Sequence, residues 1–247
     1  MIDVIITSTC RPTLAKCLAS FRTMVACTEG FRFLVNIDVR DETNLPQTLN
    51  TLKLHGISDI RITRHPAPSP NGHVDAINYL YEKVEERYYF SLEDDWIFLR
   101  TIDLDGYIAL MDSTPVVDHV RFSKERIKGY SWLYYLSVED QPEFRRPNTD
   151  VVLGTVPLVK THTLSFNPSL NRSLTVQSLL PVPQDVNPEQ HLCAEYAKQY
   201  AARGAYIAGH IDEEPWVKDI GRNPVREAMR KFKQRVRAVC KSWGMQQ

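Results

Sequence analysis

Between Ile2 and Leu92 the chain alternates short apolar runs with segments of helical periodicity, and this alternation leaves few folds open. Ile2–Thr7, Phe31–Ile37, Asp59–Thr63 and Tyr88–Leu92 are short and rich in β-branched or aromatic residues, which predicts four strands. Between them Leu14, Leu18, Phe21 and Val25 recur at helical spacing, as do Leu45, Leu49 and Leu52, and then Val74, Ile77, Leu80 and Val84. Arg64–Gly72 carries Pro66, Pro68 and Pro70 and reads as a loop. The order β-α-β-α-β-α-β predicts an α/β fold, a mostly parallel central sheet with right-handed crossovers and flanking helices. Ligands of such sheets bind beyond the carboxyl ends of the strands. Here those ends carry Thr7, Ser8 and Arg11, then Asp38, then Arg64, then Glu93-Asp94-Asp95, and the fold should gather them on one rim.

The second half is less regular. Leu104, Ile108 and Met111 predict a helix, and Val116–Phe122, Tyr130–Val138 and Val151–Val159 predict strands, so mixed or antiparallel pairing is expected there. Asn187-Pro188-Glu189 is a helix start, with Asn as cap and Pro in the first position. That helix should run to about Arg203 and stop at Gly204. Tyr206–Ala208 should form a short strand ending at Gly209-His210. Arg222–Trp243 has an apolar face of Val225, Met229, Phe232, Val236 and Val239 on an otherwise basic helix.

Lys plus Arg and Asp plus Glu both number 30, which argues against a dispersed coat for nucleic acid. The five cysteines form no C-x-x-C pair and read as reduced thiols. Met1-Ile2-Asp3 leads straight into a strand without a signal sequence, and no stretch is long and apolar enough to span a membrane, so a cytoplasmic chain is expected. There is no G-x-G-x-x-G after the first strand and no G-x-x-x-x-G-K-[ST], which excludes the usual dinucleotide and P-loop phosphate cradles.

Three adjacent carboxylates, Glu93, Asp94 and Asp95, sit between the apolar runs Tyr88–Phe90 and Trp96–Leu99. Such charges at a dry site need a compensating positive group, and a hard divalent cation is one answer. An acidic turn between two strands is the other.

In order, DVIITSTCRPTLAKCLASF, VNIDVRDE, NGHVDAINYLYEKV, SLEDDW, and then SFNPSLNR with PEQHLCAEY and GHID, resemble the GT-A fold nucleotide-diphospho-sugar glycosyltransferases, most closely family 2. The matches span about Ile2–Asp212. Glu-Asp-Asp replaces the usual Asp-x-Asp, and Pro188 precedes the base position Glu189. The resemblance implies a metal-dependent, inverting glycosyltransferase using Mn²⁺ or Mg²⁺ and a UDP- or GDP-linked sugar, with a glycan, lipid-linked or protein acceptor. It implies one catalytic domain over 1–220, with a nucleotide half (1–100) and an acceptor half (101–220), followed by the basic helix of 221–247. Asp95 is the expected metal ligand. Glu93 or Asp94 would contact the ribose or the ion, or else cap the turn. His210 would be a further ligand to metal or diphosphate. Thr7, Ser8, Arg11, Asp38, Asp94 and Arg64 would bind the nucleotide.

Glu189 would be the catalytic base, with Glu195 and Asp185 as alternatives. Trp132, Tyr134 and Tyr135 could stack on an acceptor sugar or lie in the core. The basic helix either rests on an anionic membrane surface or packs on the domain. Two other readings are a sugar-phosphate nucleotidyltransferase, disfavoured by the glycine-free first turn, and a non-catalytic glycan- or partner-binding domain of the same fold.

Overall fold

A computed structural model of the chain describes residues 1–65, 71–132, 145–161, 164–200 and 203–221. Nine strands form its main sheet: β1 (Ile2–Ser8), β2 (Phe31–Asp38), β3 (Asp59–Thr63), β4 (Tyr88–Glu93), β5 (Val117–Arg121), β6 (Thr149–Leu153), β7 (Val156–Thr161), β8 (Ser169–Arg172) and β9 (Gly204–Ala208). Their spatial order is β6-β7-β9-β5-β8-β4-β1-β2-β3. The four strands expected from the first half are mutually parallel. β8 runs antiparallel to both neighbours, β4 and β5. β9 lies parallel to β5, and β7 and β6 add an antiparallel hairpin at the edge. The sheet is thus parallel on one side and mixed on the other.

Alternation along β1 explains how both faces are covered. Ile2, Val4 and Ile6 point to a core shared with α1 (Leu14–Met24), α2 (Leu45–Leu54) and α4 (Leu104–Ser113), while Ile5 points to one shared with α3 (Asn71–Lys83), α5 (Ser173–Gln177) and α6 (Pro188–Gln199). Phe21 of α1 is fully buried and meets the rings of Phe31, Phe33, Phe90 and Phe98 edge-on, with centroids 5.0 to 5.7 Å away. Asp3, between the inward apolar residues, is also fully buried. Its carboxylate takes two bonds from Arg32 (2.6 and 2.8 Å) and the backbone N–H groups of Glu85 and Glu86, so β1, β2 and the end of α3 are tied at one point. Burial pushes this carboxyl up, but those donors hold it below its ordinary value.

Several expectations from the second half change. Val151–Val159 is a hairpin, because Gly154 in the left-handed region (φ +62) turns the chain between β6 and β7. α6 ends at Gln199, and Gly204 opens β9 instead of stopping the helix. Ser169–Arg172, expected only as part of an acceptor-side segment, is a central strand. Tyr130–Trp132 is a short strand paired with Arg145–Pro147. Tyr134, Tyr135 and the terminal helix at 222–243 lie outside the described residues. Among the described residues no helix is long and apolar enough to cross a membrane.

Truncating Phe21 to Ala removes the hub of the aromatic cluster, and the expected loss is about 3–5 kcal/mol of stability, read as a shifted midpoint in denaturant unfolding.

Candidate active site

Register aligns the strand ends. Thr7 of β1 lies opposite Asn36 of β2 and Glu93 of β4, so three polar residues stand level at the carboxyl edge. An open cleft forms there. Thr7, Ser8, Thr9, Arg11, Asn36, Asp38, Arg40, Glu93 and Asp94 line it together with Gly72, His73 and Ala76 of α3.

On the β2 side, Asn36, Asp38 and Arg40 alternate with the buried Val35, Ile37 and Val39, so they share the face turned to the cleft. Asp38 Oδ1 accepts from the backbone N–H of His65 at 3.0 Å and lies 2.9 Å from its Nδ1. Its Oδ2 lies 2.5 Å from the Arg40 guanidinium. Gly72, at the start of α3, presses on this pair: a Cβ there would fall 2.3 Å from Asp38 Oδ2. Only glycine lets the helix end come this close.

The three carboxylates separate in role. Asp94 is buried and holds the turn after β1, with Oδ2 accepting from Ser8 Oγ (2.7 Å) and the Thr9 N–H (2.9 Å). Arg11 reaches Asp94 Oδ1 at 3.5 Å and pairs closely with Asp95. Asp95 lines neither cleft; the chain at Ile220-Gly221 covers it, with the Ile220 N–H donating to its carbonyl at 2.8 Å. A Cβ at Gly221 would sit 2.1 Å from Asp95 Oδ2. Burial pushes the Asp95 carboxyl up to about 6; Arg11 opposes this, while Asp94 and Asp219 add to it. Glu93 faces the cleft. Burial pushes it up to about 8, with Asp95, Asp94 and Glu189 adding repulsion.

A second open cleft lies beside the first. Its walls are His73, Glu93, Trp96, Lys124, Phe166, Asn167, Asn187, Glu189 and Asp219. Glu189 lies in the first turn of α6, whose cap is Asn187, with Oδ1 accepting from the Gln190 N–H at 3.0 Å. Glu189 Oε1 accepts from Ser165 Oγ (3.1 Å) and the Phe166 N–H (2.9 Å), so its carboxylate is held from outside its own helix. Of the three base candidates only Glu189 faces a cleft. Glu195 pairs with Lys198 on the surface, and Asp185 lies in a left-handed turn bonded to Asn71.

Two expected residues stand apart. Arg64 turns outward to Glu42, at 2.5 and 3.2 Å, while its neighbour His65 turns in to Asp38. His210 follows β9, three strands from β4, or about 14 Å along the rim at ~4.8 Å per strand. Its N–H donates to Glu213. Asp219 arrives near Asp95 instead, because Val217–Asp219 pairs antiparallel with Trp96–Phe98.

Among the described residues no group of three His, Cys, Asp or Glu side chains is set to hold a metal ion. The donor chemistry nonetheless suits a hard cation. Asp95 Oδ1 is buried without a hydrogen-bond partner, and Glu93, Asp94 and Asp219 crowd negative charge around it.

Sequence reading passed over Arg40, Asn36, His73, Lys124 and Asp219. The period-two run Asn36-Asp38-Arg40 at a strand end was a usable signal for two of them. Lys124 and Asp219 reach the cleft only through the topology of the second half.

No family model matches the chain, and no curated protein sequence matches it. Solved structures share its fold. Residues 1–349 of TarS from S. aureus superpose with a TM-score of 0.54 at 12% identity, over 89% of this chain and 60% of that one. The same TarS fragment in complex with UDP gives 0.53 at 12% identity, over 87% and 59%. The mannosyltransferase PcManGT from Pyrobaculum calidifontis, in complex with GDP-Man and Mn²⁺, gives 0.51 at 12% identity, over 85% and 55%. The chain therefore spans 55% to 60% of the length of these proteins.

The charge pattern sets the sign of a pH effect. A carboxyl raised in the folded state adds stability that is complete below its unfolded value and is lost as pH rises through its folded one. For Glu93 that window runs from about 4.5 to about 8. In metal-free buffer the thermal midpoint should fall across this window, and Glu93→Gln should flatten the fall and raise the midpoint at its upper end.

Proposed function

We propose that the protein is a metal-dependent glycosyltransferase that moves a sugar from a nucleoside diphosphate to an acceptor hydroxyl, with inversion at the anomeric carbon. The observation that carries this reading is the pair of adjoining clefts at the carboxyl edge, with cations and base-sized polar groups in one and a held carboxylate in the other. The fold shared with a mannosyltransferase bound to GDP-Man and with TarS bound to UDP supports it.

In this reading the first cleft takes the nucleotide. Asp38 accepts a ring N–H and Arg40 donates to a ring carbonyl, a pairing that suits uracil or guanine and repels the bare ring nitrogen of cytosine or adenine. Thr7, Ser8 and Thr9 border the path of the ribose and diphosphate. Arg11 supplies positive charge beside the leaving group. Asp95, with Glu93 and Asp219, would hold a Mn²⁺ or Mg²⁺ ion, which when bound neutralises diphosphate charge as a Lewis acid. The acceptor hydroxyl enters the second cleft and gives its proton to Glu189. Its oxygen then bonds to the anomeric carbon, and the bond to the diphosphate oxygen breaks with its electron pair on the diphosphate. Attack from the side opposite the leaving group inverts the centre. Phe166, Asn167 and Asn187 offer the aromatic edge and planar amides that a glycan acceptor, free or carried on lipid or protein, would use.

The direct test is thermal unfolding with UDP, GDP, CDP and ADP, each with and without Mn²⁺. UDP or GDP should raise the midpoint, more so with the metal, because a ligand of the folded state alone stabilises it. No shift with any diphosphate would remove the proposal. Glu189→Gln should cut transfer by about 10²–10⁴ while leaving diphosphate binding intact. Equal turnover by this variant would remove the base assignment.

A further inference from the structure

The lining of the two clefts overlaps at only two residues, His73 and Glu93. This has a geometric consequence that rests on the glycosyltransferase reading. If the donor nucleotide occupies the first cleft and the acceptor the second, the bond being exchanged lies at their seam. The transferred sugar must then lie against whichever side chains form that seam.

His73 is built for such a contact. Its Nε2 is screened from solvent and has no hydrogen-bond partner. Glu93 Oε1 is 4.0 Å from it, beyond hydrogen-bond reach. A hydroxyl oxygen seated about 2.8 Å from each would bridge the two at ordinary geometry. The ring is also kept in place: it packs edge-to-face on Phe166, with centroids 5.4 Å apart, and Phe166 belongs to the segment that holds Glu189. An imidazole nitrogen can serve a hydroxyl as donor or acceptor by choice of tautomer. A diphosphate, by contrast, would favour a permanent cation, and the first cleft has two in Arg11 and Arg40.

We infer that His73 is a sugar-binding residue that, with Glu93, grips a hydroxyl of the transferred sugar at the seam and so helps select the donor sugar. The nucleotide base and diphosphate are bound without it.

The test compares two affinities in one protein. Calorimetry in Mn²⁺ buffer gives Kd for UDP and GDP, and for UDP-glucose, UDP-N-acetylglucosamine and GDP-mannose. His73→Phe keeps a ring against Phe166 and removes the nitrogen; His73→Gln keeps an N–H donor. Both variants are checked for a native thermal midpoint, and the Gln variant stands in if the Phe variant unfolds. With His73→Phe, Kd for the bare diphosphate should stay within about twofold. Kd for the tightest-binding sugar conjugate should rise about tenfold, and His73→Gln should recover part of that loss. Equal weakening of diphosphate and conjugate would move His73 to the phosphate site, and no change in either would remove the contact; both overturn the inference while leaving the proposed function standing. Failure of the native protein to bind any diphosphate overturns the proposed function and this inference together.

Discussion

The site depends on one buried interaction, the carboxylate of Asp94 held by Ser8 Oγ and the Thr9 N–H. It fastens the end of β4 to the turn leaving β1. Glu93 and Asp95 flank Asp94 on either side. An acid so placed needs donors, because an ion buried without them costs several kcal/mol. Ser8 and Thr9 meet that need from a turn free of glycine, where a different protein would put a phosphate-binding loop. The turn therefore serves the acid, and in the proposed function phosphate binding would fall to side-chain cations and a metal.

The remaining charges follow from that constraint. With Asp94 committed to structure, Arg11 can lie across it and pair with Asp95, and one guanidinium is left facing the crowded carboxylates of Glu93, Asp94 and Asp95. Burial and mutual repulsion raise Glu93 and Asp95, so the edge is strained toward accepting either protons or a cation. On the β2 side charge is balanced by pairing: Asp38 Oδ1 is held by His65, its Oδ2 lies beside the Arg40 guanidinium without a hydrogen-bond partner, and Gly72 lets the amino end of α3 close over them. One flank is electrically complete and the other is not, and the incomplete flank is where a charged, metal-linked diphosphate would gain most.

The first half of this arrangement was legible in the chain because its signals are local. Strand and helix periods from Ile2 to Leu92 are unambiguous, and the parallel order they imply brings Thr7, Ser8, Arg11, Asp38 and Glu93-Asp94 to one edge by topology alone. The acid cluster was legible as a cluster. Its internal division was not, since the choice between Asp94 and Glu93 depends on which carboxyl Ser8 reaches, a contact across 86 residues. Arg64 and His65 show the same limit: both are basic at a strand end, and only alternation of side-chain direction decides that His65 turns to Asp38 and Arg64 to Glu42. His210 was expected at the ion or diphosphate through the resemblance alone, and its distance along the rim depends on strand order, which no local pattern encodes.

The second cleft exists because one strand is reversed. A sheet continuing in parallel beyond β4 would bring the amino end of the next strand to the opposite edge, away from Glu93. β8 runs the other way, with Ser169 opposite Ser91. Its amino end, and the segment Ser165–Asn167 leading into it, therefore arrive at the carboxyl edge beside Glu93. That segment holds Glu189 through Ser165 Oγ and the Phe166 N–H, supports the His73 ring, and lines the cleft with Asn167. β5, parallel again, delivers Lys124 just past its own carboxyl end on the far side of β8. The reversal thus turns what would be a sheet edge with one crevice into two clefts with a common wall. A transfer between two bound molecules needs such a wall, where each is held separately and the reacting atoms meet.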